Sequence, residues 1–188
     1  FVYEVPYAQV VIMYLCFFGV SLHAGDIESL TLEARSQSKK LGQSLMAVLK
    51  TSLQNDGPEA AITVCNLNAP DIAGSLSQAD WRVGRTSLKI RNSDNAPDAW
   101  EKQMLNEFND RIQAGENPMM VEASTVIDGE FRYMKAIPTA EMCVTCHGSN
   151  VAPSVASKIH ELYPADQAVG FNVGDLRGAF TLRKTLQE

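Results

Sequence analysis

The sequence has no excess of basic residues, no apolar run long enough to cross a membrane and no internal repeat, and each absence narrows the class of protein. Its 188 residues include 16 Lys and Arg against 22 Asp and Glu, so the net charge is −6 and no basic surface for nucleic acid is expected. Hydrophobic residues make up 45% of the chain, which is typical of a globular protein with a buried core. The absence of low-complexity stretches and linkers favours one domain.

An apolar run near the N-terminus, Val10–Val20, is shorter than a membrane-spanning helix, because a bilayer core needs about 20 residues. The run matches the hydrophobic region of a secretory signal, with Ala24 as the last residue before cleavage. Two features depart from that pattern: the chain begins with Phe1 rather than Met, and Glu4 but no Lys or Arg precedes the run. A retained anchor and a buried helix are the alternatives.

We therefore predict a signal peptide over residues 1–24, a single domain over residues 25–188, and export to the periplasm. Membrane association is expected only if residues 1–24 are retained. Export also agrees with the use of cysteine. The sequence has only four cysteines, and in an oxidising compartment a cysteine without a disulfide partner needs another function.

Helical signals occur in four segments of the mature chain. Apolar residues recur on one face with charged residues opposite, most clearly in the first and longest segment. Asp56-Gly57-Pro58 separates the first two helices, and Asn66–Pro70 is predicted to close the second after a short run. The predicted helices are Asp26–Gln54, Glu59–Cys65, the segment between Pro97 and Gly115, and Ser154–Leu162.

Strand signals occur in four further segments. The first alternates strictly, and a two-residue Asp128-Gly129 turn between the second and third predicts a hairpin. The predicted strands are Val83–Arg91, Val121–Ile127, Glu130–Ile137 and Gly178–Leu182. This order of elements favours an α+β fold in which helices flank an antiparallel sheet.

The segment Cys143-Val-Thr-Cys146-His147 carries the strongest functional signal. Two thiols separated by two residues reach two vinyl groups on one edge of a porphyrin, and the next histidine binds the iron, so this spacing is the attachment signature of haem c. A thioredoxin-like dithiol and half of a zinc site are the alternatives, but neither requires the adjacent histidine. We therefore expect one covalent haem, attached to Cys143 and Cys146, with His147 as an iron ligand.

Several motifs in one order resemble the PAS-like single-haem c-type cytochromes, a family long catalogued as a domain of unknown function. They are Ala61–Pro70, Gly84–Asn92, Asn95–Glu101, Cys143–Gly148, Tyr163–Phe171 and Gly174–Phe180. The resemblance implies a PAS-like sheet with a long N-terminal helix, one covalent haem, and iron ligation by His147 and Cys65. Members occur as free-standing periplasmic proteins and as sensory modules. No catalytic residues are carried over.

Cys65 is the one cysteine after residue 24 without a covalent task. Without the resemblance, a small buried hydrophobe would be its ordinary role. The competing candidates for the sixth iron ligand are His160, Met119, Met120, Met134 and Met142. His160 is expected to face solvent, and methionines more often serve packing.

The basic residues Arg85, Lys89 and Arg91 are candidate contacts for haem propionates, because a guanidinium pairs with a carboxylate through two hydrogen bonds. A solvated strand face is the alternative, and Arg177 is a further candidate by the same reasoning. Tyr133, Met134 and Tyr163 are candidates for lining the pocket or for ordinary core.

Iron ligation by His147 and Cys65 predicts a redox protein rather than an enzyme. A thiolate favours Fe(III) and a low potential, and two axial ligands leave no open position for a substrate. We expect electron transfer with a redox partner protein that the sequence does not identify. The alternative is a haem-based redox or gas sensor acting through a separate partner, because no signalling segment follows Glu188. A peroxidase-like enzyme would need an open distal face.

Overall fold

Five helices and four strands make up residues 24–186, the part of the chain that the computed structural model describes. The predicted signal segment lies outside these residues except for Ala24. The helices are α1 (Ala24–Asn55), α2 (Gly57–Leu76), α3 (Ala99–Gln113), α4 (Val144–His147) and α5 (Pro153–Leu162). The strands are β1 (Trp81–Thr86), β2 (Glu122–Ile127), β3 (Glu130–Pro138) and β4 (Leu176–Thr185). Within residues 24–186, no helix combines the length and the apolar character needed to span a membrane.

The strands form one antiparallel sheet in the order β1-β4-β3-β2. Strands β3 and β4 are central, with Tyr133 opposite Leu182. Strands β2 and β3 are joined through Asp128 and Gly129, whose φ angles of 51° and 74° suit a two-residue type I′ turn. The predicted hairpin and the predicted α+β fold, with its long N-terminal helix, are both confirmed.

Side chains alternate along β3 and divide the core between the two faces of the sheet. On one face, Phe131 and Tyr133 pack in a cluster that includes Leu41 of α1. On the other face, Met134 packs with Phe108 of α3. All five side chains are fully buried, so helices α1 and α3 hold opposite faces of the same sheet.

Strand β1 ends at Thr86, so the prediction of a strand as far as Arg91 is wrong. Thr86 and Ala179 form the last pair between β1 and β4, and the next N–H, that of Ser87, donates to Asn95 O at 3.3 Å instead. The residues after Thr86 alternate in sequence but have no partner strand to satisfy their backbone groups. Lys89 and Arg91 therefore lie on a loop.

Helix α2 continues through Pro70 to Leu76, so the prediction that it closes after Cys65 is also wrong. A proline inside a helix costs about 3 kcal/mol. Beyond Pro70, however, Ile72 and Leu76 pack against the core on the α1 face of the sheet. Full burial of such a side chain contributes about 1.5–3 kcal/mol, so the partial burial of these two helps to offset the cost of the proline. Cys65 consequently lies in the middle of a helix.

Helix α3 begins as the sequence predicts, because Asp98 and Glu101 form a capping box. The Asp98 carboxylate accepts from the Glu101 N–H at 2.9 Å, and the Glu101 carboxylate accepts from the Asp98 N–H at 3.0 Å. Such reciprocal bonds satisfy two donors that a helix start otherwise leaves unpaired. The helix ends at Gln113, shortly before Gly115.

Candidate haem site

The Cys143–His147 segment lies on one helical turn just after the central strand β3. A 3-10 turn, Glu141–Cys143, leads directly into the four-residue helix α4. On such a turn, residues three and four positions apart share a face, so Cys146 and His147 lie on the same side as Cys143. Gly148 ends the turn, because a Cβ atom there would come within 2.6 Å of Val144 O. The two thiols and the imidazole are thereby presented together.

His147 is held as a neutral imidazole with one ring nitrogen left for a ligand. Its Nδ1 lies 2.6 Å from Ala168 O, and since a carbonyl only accepts, Nδ1 carries the proton. Burial, together with the charges of Arg177 and Arg91, lowers the pKa of His147 to about 3. A neutral histidine whose Nδ1–H donates to a carbonyl is the form that binds metals through Nε2.

Cys65 projects from α2 toward the same region. Burial raises the pKa of the Cys65 thiol, and the charges of Arg85 and Arg91 oppose that rise. Burial likewise raises the pKa of Cys146; the charge of Arg91 opposes the rise, and the neighbouring Cys65 and Cys143 add to it. These three cysteines are half-buried and unpaired, with no disulfide among residues 24–186. The structure thus brings the one remaining thiol beside the Cys143–His147 turn.

A small apolar cluster packs against the Cys143–His147 turn. Ile62, one turn before Cys65 on α2, packs with Val155 and Ile159 of α5, and Cys146 and Tyr163 pack against that cluster. Helices α2 and α5 therefore form an apolar contact for Cys146 of the turn. Tyr163 packs against this cluster, as Cys146 does.

Arg85 is a cation without an ionic partner. It is half-buried on β1, and among residues 24–186 no hydrogen bond or ion pair engages its guanidinium. Burial lowers its pKa, and interaction with Cys65 and Tyr163 works in the opposite direction. A half-buried guanidinium without a carboxylate is costly unless an anion joins it.

Arg177, at the start of β4, adds a second positive charge. Burial, together with the charges of Arg91 and Arg85, lowers its pKa to about 10. Its Nη1 donates to Ser87 Oγ at 3.1 Å and to Lys89 O at 3.3 Å, which leaves its charge unneutralised. The structure therefore concentrates positive charge around His147.

Arg91 and Lys89 are engaged by the protein itself. Arg91 pairs with Asp166 through two hydrogen bonds of 3.0 and 3.1 Å. Lys89 is exposed, and its Nζ donates to Val169 O at 3.3 Å and lies 5.0 Å from the centroid of the Phe171 ring. Of the four basic candidates, Arg85 and Arg177 are thus the half-buried ones without a carboxylate partner among residues 24–186. Their charges are available to an anion.

Most competing ligands are either exposed or buried in the core. His160, Met119 and Met120 are exposed, and Met142 is half-buried in the turn before Cys143. Met134 is fully buried against α3. Within residues 24–186, no group of three or more His, Cys, Asp or Glu side chains is arranged to hold a metal ion.

Tyr133 belongs to the core rather than to the site. It is fully buried on the α1 face of the sheet, and its hydroxyl donates to Glu122 Oε2 at 2.7 Å. Burial raises the pKa of this phenol, and the hydrogen bond to Glu122 raises it further. Of the two interpretations left open by the sequence, ordinary core is the correct one for Tyr133 and Met134.

Three contributions to the site escaped sequence reasoning: the Asp166 carboxylate, the Ala168 carbonyl and the Phe171 ring. The Phe171 ring meets the His147 ring edge-on, with centroids 6.3 Å apart. All three lie in the Tyr163–Phe171 segment, which formed part of the family resemblance. No spacing rule connects that segment to His147.

The domain is α+β, and it presents a Cys-x-x-Cys-His turn beside a third thiol and two arginines that have no carboxylate partner among residues 24–186. These features define the class as a candidate haem-binding domain. The chain belongs to the Tll0287-like family, whose model matches residues 27–184, and the resemblance inferred from the sequence motifs is thereby confirmed. A solved structure titled "Crystal structure of the cyanobacterial heme-protein Tll0287" is 24% identical, with a TM-score of 0.63. The alignment covers 89% of this chain and 99% of that one, and it shows a common fold. No functionally curated protein matches the sequence.

Proposed function

We propose that this chain is a haem protein in which Cys143 and Cys146 attach one haem c and His147 binds its iron. The observation that carries the proposal is the neutral His147 imidazole, tethered through Nδ1 and flanked by two unpaired thiols on one helical turn. Membership of the family supports it, as does the description of the related structure as a haem protein.

The charges around the turn fit a haem. A haem carries two propionates, and Arg85 and Arg177 offer two half-buried guanidinium groups that have no carboxylate partner within residues 24–186. Pairing each guanidinium with a propionate would remove the cost of an unneutralised buried charge. The donor set is therefore complete for a haem: two thiols, one imidazole and two cations.

Cys65 is our proposed second axial ligand. Its thiol is half-buried beside Cys146, where burial raises its pKa and the positive charges of Arg85 and Arg91 oppose that rise. A bound haem supplies reversible one-electron chemistry, and a thiolate ligand sets a low potential. The protein's part is to orient His147 and Cys65 and to keep the site partly shielded from water.

A redox role follows from this ligand set. If His147 and Cys65 both bound the iron, no position would remain for a substrate, so we propose electron transfer with a redox partner protein rather than catalysis. Attachment of haem c takes place outside the cytoplasm, which agrees with the proposed periplasmic location. A truncated chain that lacks residues 1–24 should accordingly accumulate without covalent haem in the cytoplasm. Normal holoprotein from the truncated chain would contradict the proposed location.

Mass spectrometry tests the proposal directly. Expressed with residues 1–24 in a host that matures c-type cytochromes, the denatured chain should carry the mass of one haem that acid-acetone does not extract. Replacing both Cys143 and Cys146 with Ala should abolish this mass, whereas His160→Ala should leave it unchanged. Extractable haem, or a haem-free chain containing zinc, would overturn the proposal.

A further inference from the structure

A continuous set of hydrogen bonds connects His147 to an ion pair remote in sequence. The Ala168 carbonyl that accepts from His147 Nδ1 also accepts from Arg91 Nη2 at 3.3 Å. The same Nη2 donates to Cys146 O at 2.7 Å. Arg91 therefore binds both the turn that carries His147 and the loop that carries its hydrogen-bond acceptor.

Asp166 fixes the other end of this set. Its carboxylate pairs with Arg91, and its Oδ1 also accepts from the Ala168 N–H at 3.0 Å. Asp166 thus binds the N–H of Ala168, and Arg91 binds the carbonyl of Ala168 that faces His147. The Arg91 and Asp166 side chains are only 12% and 9% exposed, so water competes poorly for their hydrogen bonds.

We propose that Arg91 and Asp166 act as a positioning pair that sets the orientation of the His147 ring and the strength of its Nδ1–H hydrogen bond. This inference rests on the proposed haem function and deepens it. A second-layer hydrogen bond raises the basicity of a histidine ligand and fixes its ring, and losing such a partner typically weakens metal binding by about 10–100-fold. Arg91 thus serves the iron ligand through the Ala168 backbone.

The test uses Asp166→Asn, which conserves size, and Arg91→Lys, which conserves charge, and compares them with Glu116→Gln. Glu116, just after α3, pairs with Arg111 in the last turn of α3 through two 2.7 Å hydrogen bonds, and the Arg111 and Glu116 side chains are 32% and 38% exposed. In oxidised holoprotein, Asp166→Asn should shift the low-spin electron paramagnetic resonance g values and raise the reduction potential. The concentration of cyanide needed to displace an iron ligand should fall about tenfold. Glu116→Gln should change none of these.

Arg91→Lys should resemble Asp166→Asn, because an ammonium group cannot form the same forked hydrogen bonds. The double variant should have no larger effect than either single variant, since the two residues act as one unit. If the g values, potential and cyanide sensitivity of Asp166→Asn and Arg91→Lys equal those of the wild type, the positioning role is refuted while the haem function stands.

A measurement on the full chain expressed without haem separates the two proposals. Nitrogen-15 spectra of the wild type should show a fixed His147 Nδ1–H tautomer with a slowly exchanging proton. That proton should exchange measurably faster in Asp166→Asn. If the wild type never binds haem, the proposed function fails, and this comparison still decides the positioning role. Equal exchange in both proteins would overturn that role.

Discussion

Gly178 and Thr86 approach so closely that a Cβ atom at residue 178 would overlap the Thr86 carbonyl oxygen. The same Cβ would lie 3.1 Å from Ser87 Cβ. Ser87 Oγ donates to Arg177 O at 2.8 Å, so the contact lies beside one of the two unpaired arginines. The start of β4 therefore depends on a residue without a side chain.

We expect Gly178→Ala to lower the free energy of unfolding by about 1–3 kcal/mol, because the backbone must shift to admit the methyl group. Urea denaturation of the two proteins measures the difference. The matched control is Gly84→Ala on the neighbouring strand, where an added Cβ would find its nearest contact, Thr181 Cγ2, at 3.9 Å. An equal loss of stability in both variants would show that the contact with Thr86 is not the cause.

The lowered pKa of Asp98 predicts a specific dependence of the unfolding free energy on pH. Although burial alone raises the pKa of Asp98, the Glu101 N–H and the guanidinium groups of Arg132 and Arg183 outweigh it, so the pKa falls below 3.8. A carboxyl group with a lowered pKa in the folded state stabilises the protein above its unfolded pKa. This stability is lost as the pH falls through the folded-state value.

Asp98→Asn should therefore be less stable than the wild type by about 1 kcal/mol at pH 7, with a smaller difference near pH 3. The difference is small because the Asp98 side chain is 36% exposed, so water screens its ion pairs, and because asparagine preserves the helix cap. Unfolding free energies at pH 7, 5 and 3 provide the measurement. A difference that stays constant across this range would contradict the assigned titration.

The part of the site that sequence predicts best is the part that is local. Cys143, Cys146 and His147 lie within one helical turn, so their spacing alone places them on one face. The β2–β3 hairpin is predictable for the same reason, since Asp128 and Gly129 are neighbours with positive φ angles. Neither inference needs information about the rest of the fold.

The parts that sequence cannot predict depend on distant partners. Arg91 and Asp166 are 75 positions apart, and the acceptor for His147 is a backbone carbonyl, which any residue type provides. The alternation of polar and apolar residues after Thr86 indicates a strand. No strand forms there because the pairing of β1 with β4 ends at Thr86. Pro70 indicates a helix end, but core packing beyond it decides otherwise.

Arg85 is expected to tune the reduction potential of the proposed haem. Replacing it by Met removes a positive charge near the iron ligands, which favours Fe(III), so the potential should fall. A unit charge about 10 Å away contributes on the order of 1–2 kcal/mol at an effective dielectric constant of about 20. A spectroelectrochemical titration should therefore show a shift of tens of millivolts, whereas Arg82→Met, at an exposed position on the same strand, should show little. Equal potentials for Arg85→Met and the wild type would exclude this electrostatic role.

Cys65 gives the sharpest test of the ligand set. A buried neutral thiol would be an ordinary packing residue, but a thiolate bound to Fe(III) is held by the charge of the metal. The oxidised wild type should then be low-spin. Cys65→Ala should convert the iron to a high-spin or water-ligated form and raise the reduction potential. Visible and electron paramagnetic resonance spectra of both oxidised proteins measure this change.

Leu67→Ala is the matched control for Cys65→Ala, because Leu67 lies two residues further along α2 and is 62% exposed. It should leave the spectrum and the potential unchanged. If Cys65→Ala also leaves them unchanged, the second ligand is a different residue. Met142 then becomes the first candidate, since it is half-buried beside Cys143, whereas His160 and Met119 are exposed and would require the fold to rearrange. A Cys65→Ala, Met142→Ala double variant that loses the low-spin signal would identify Met142 as that ligand.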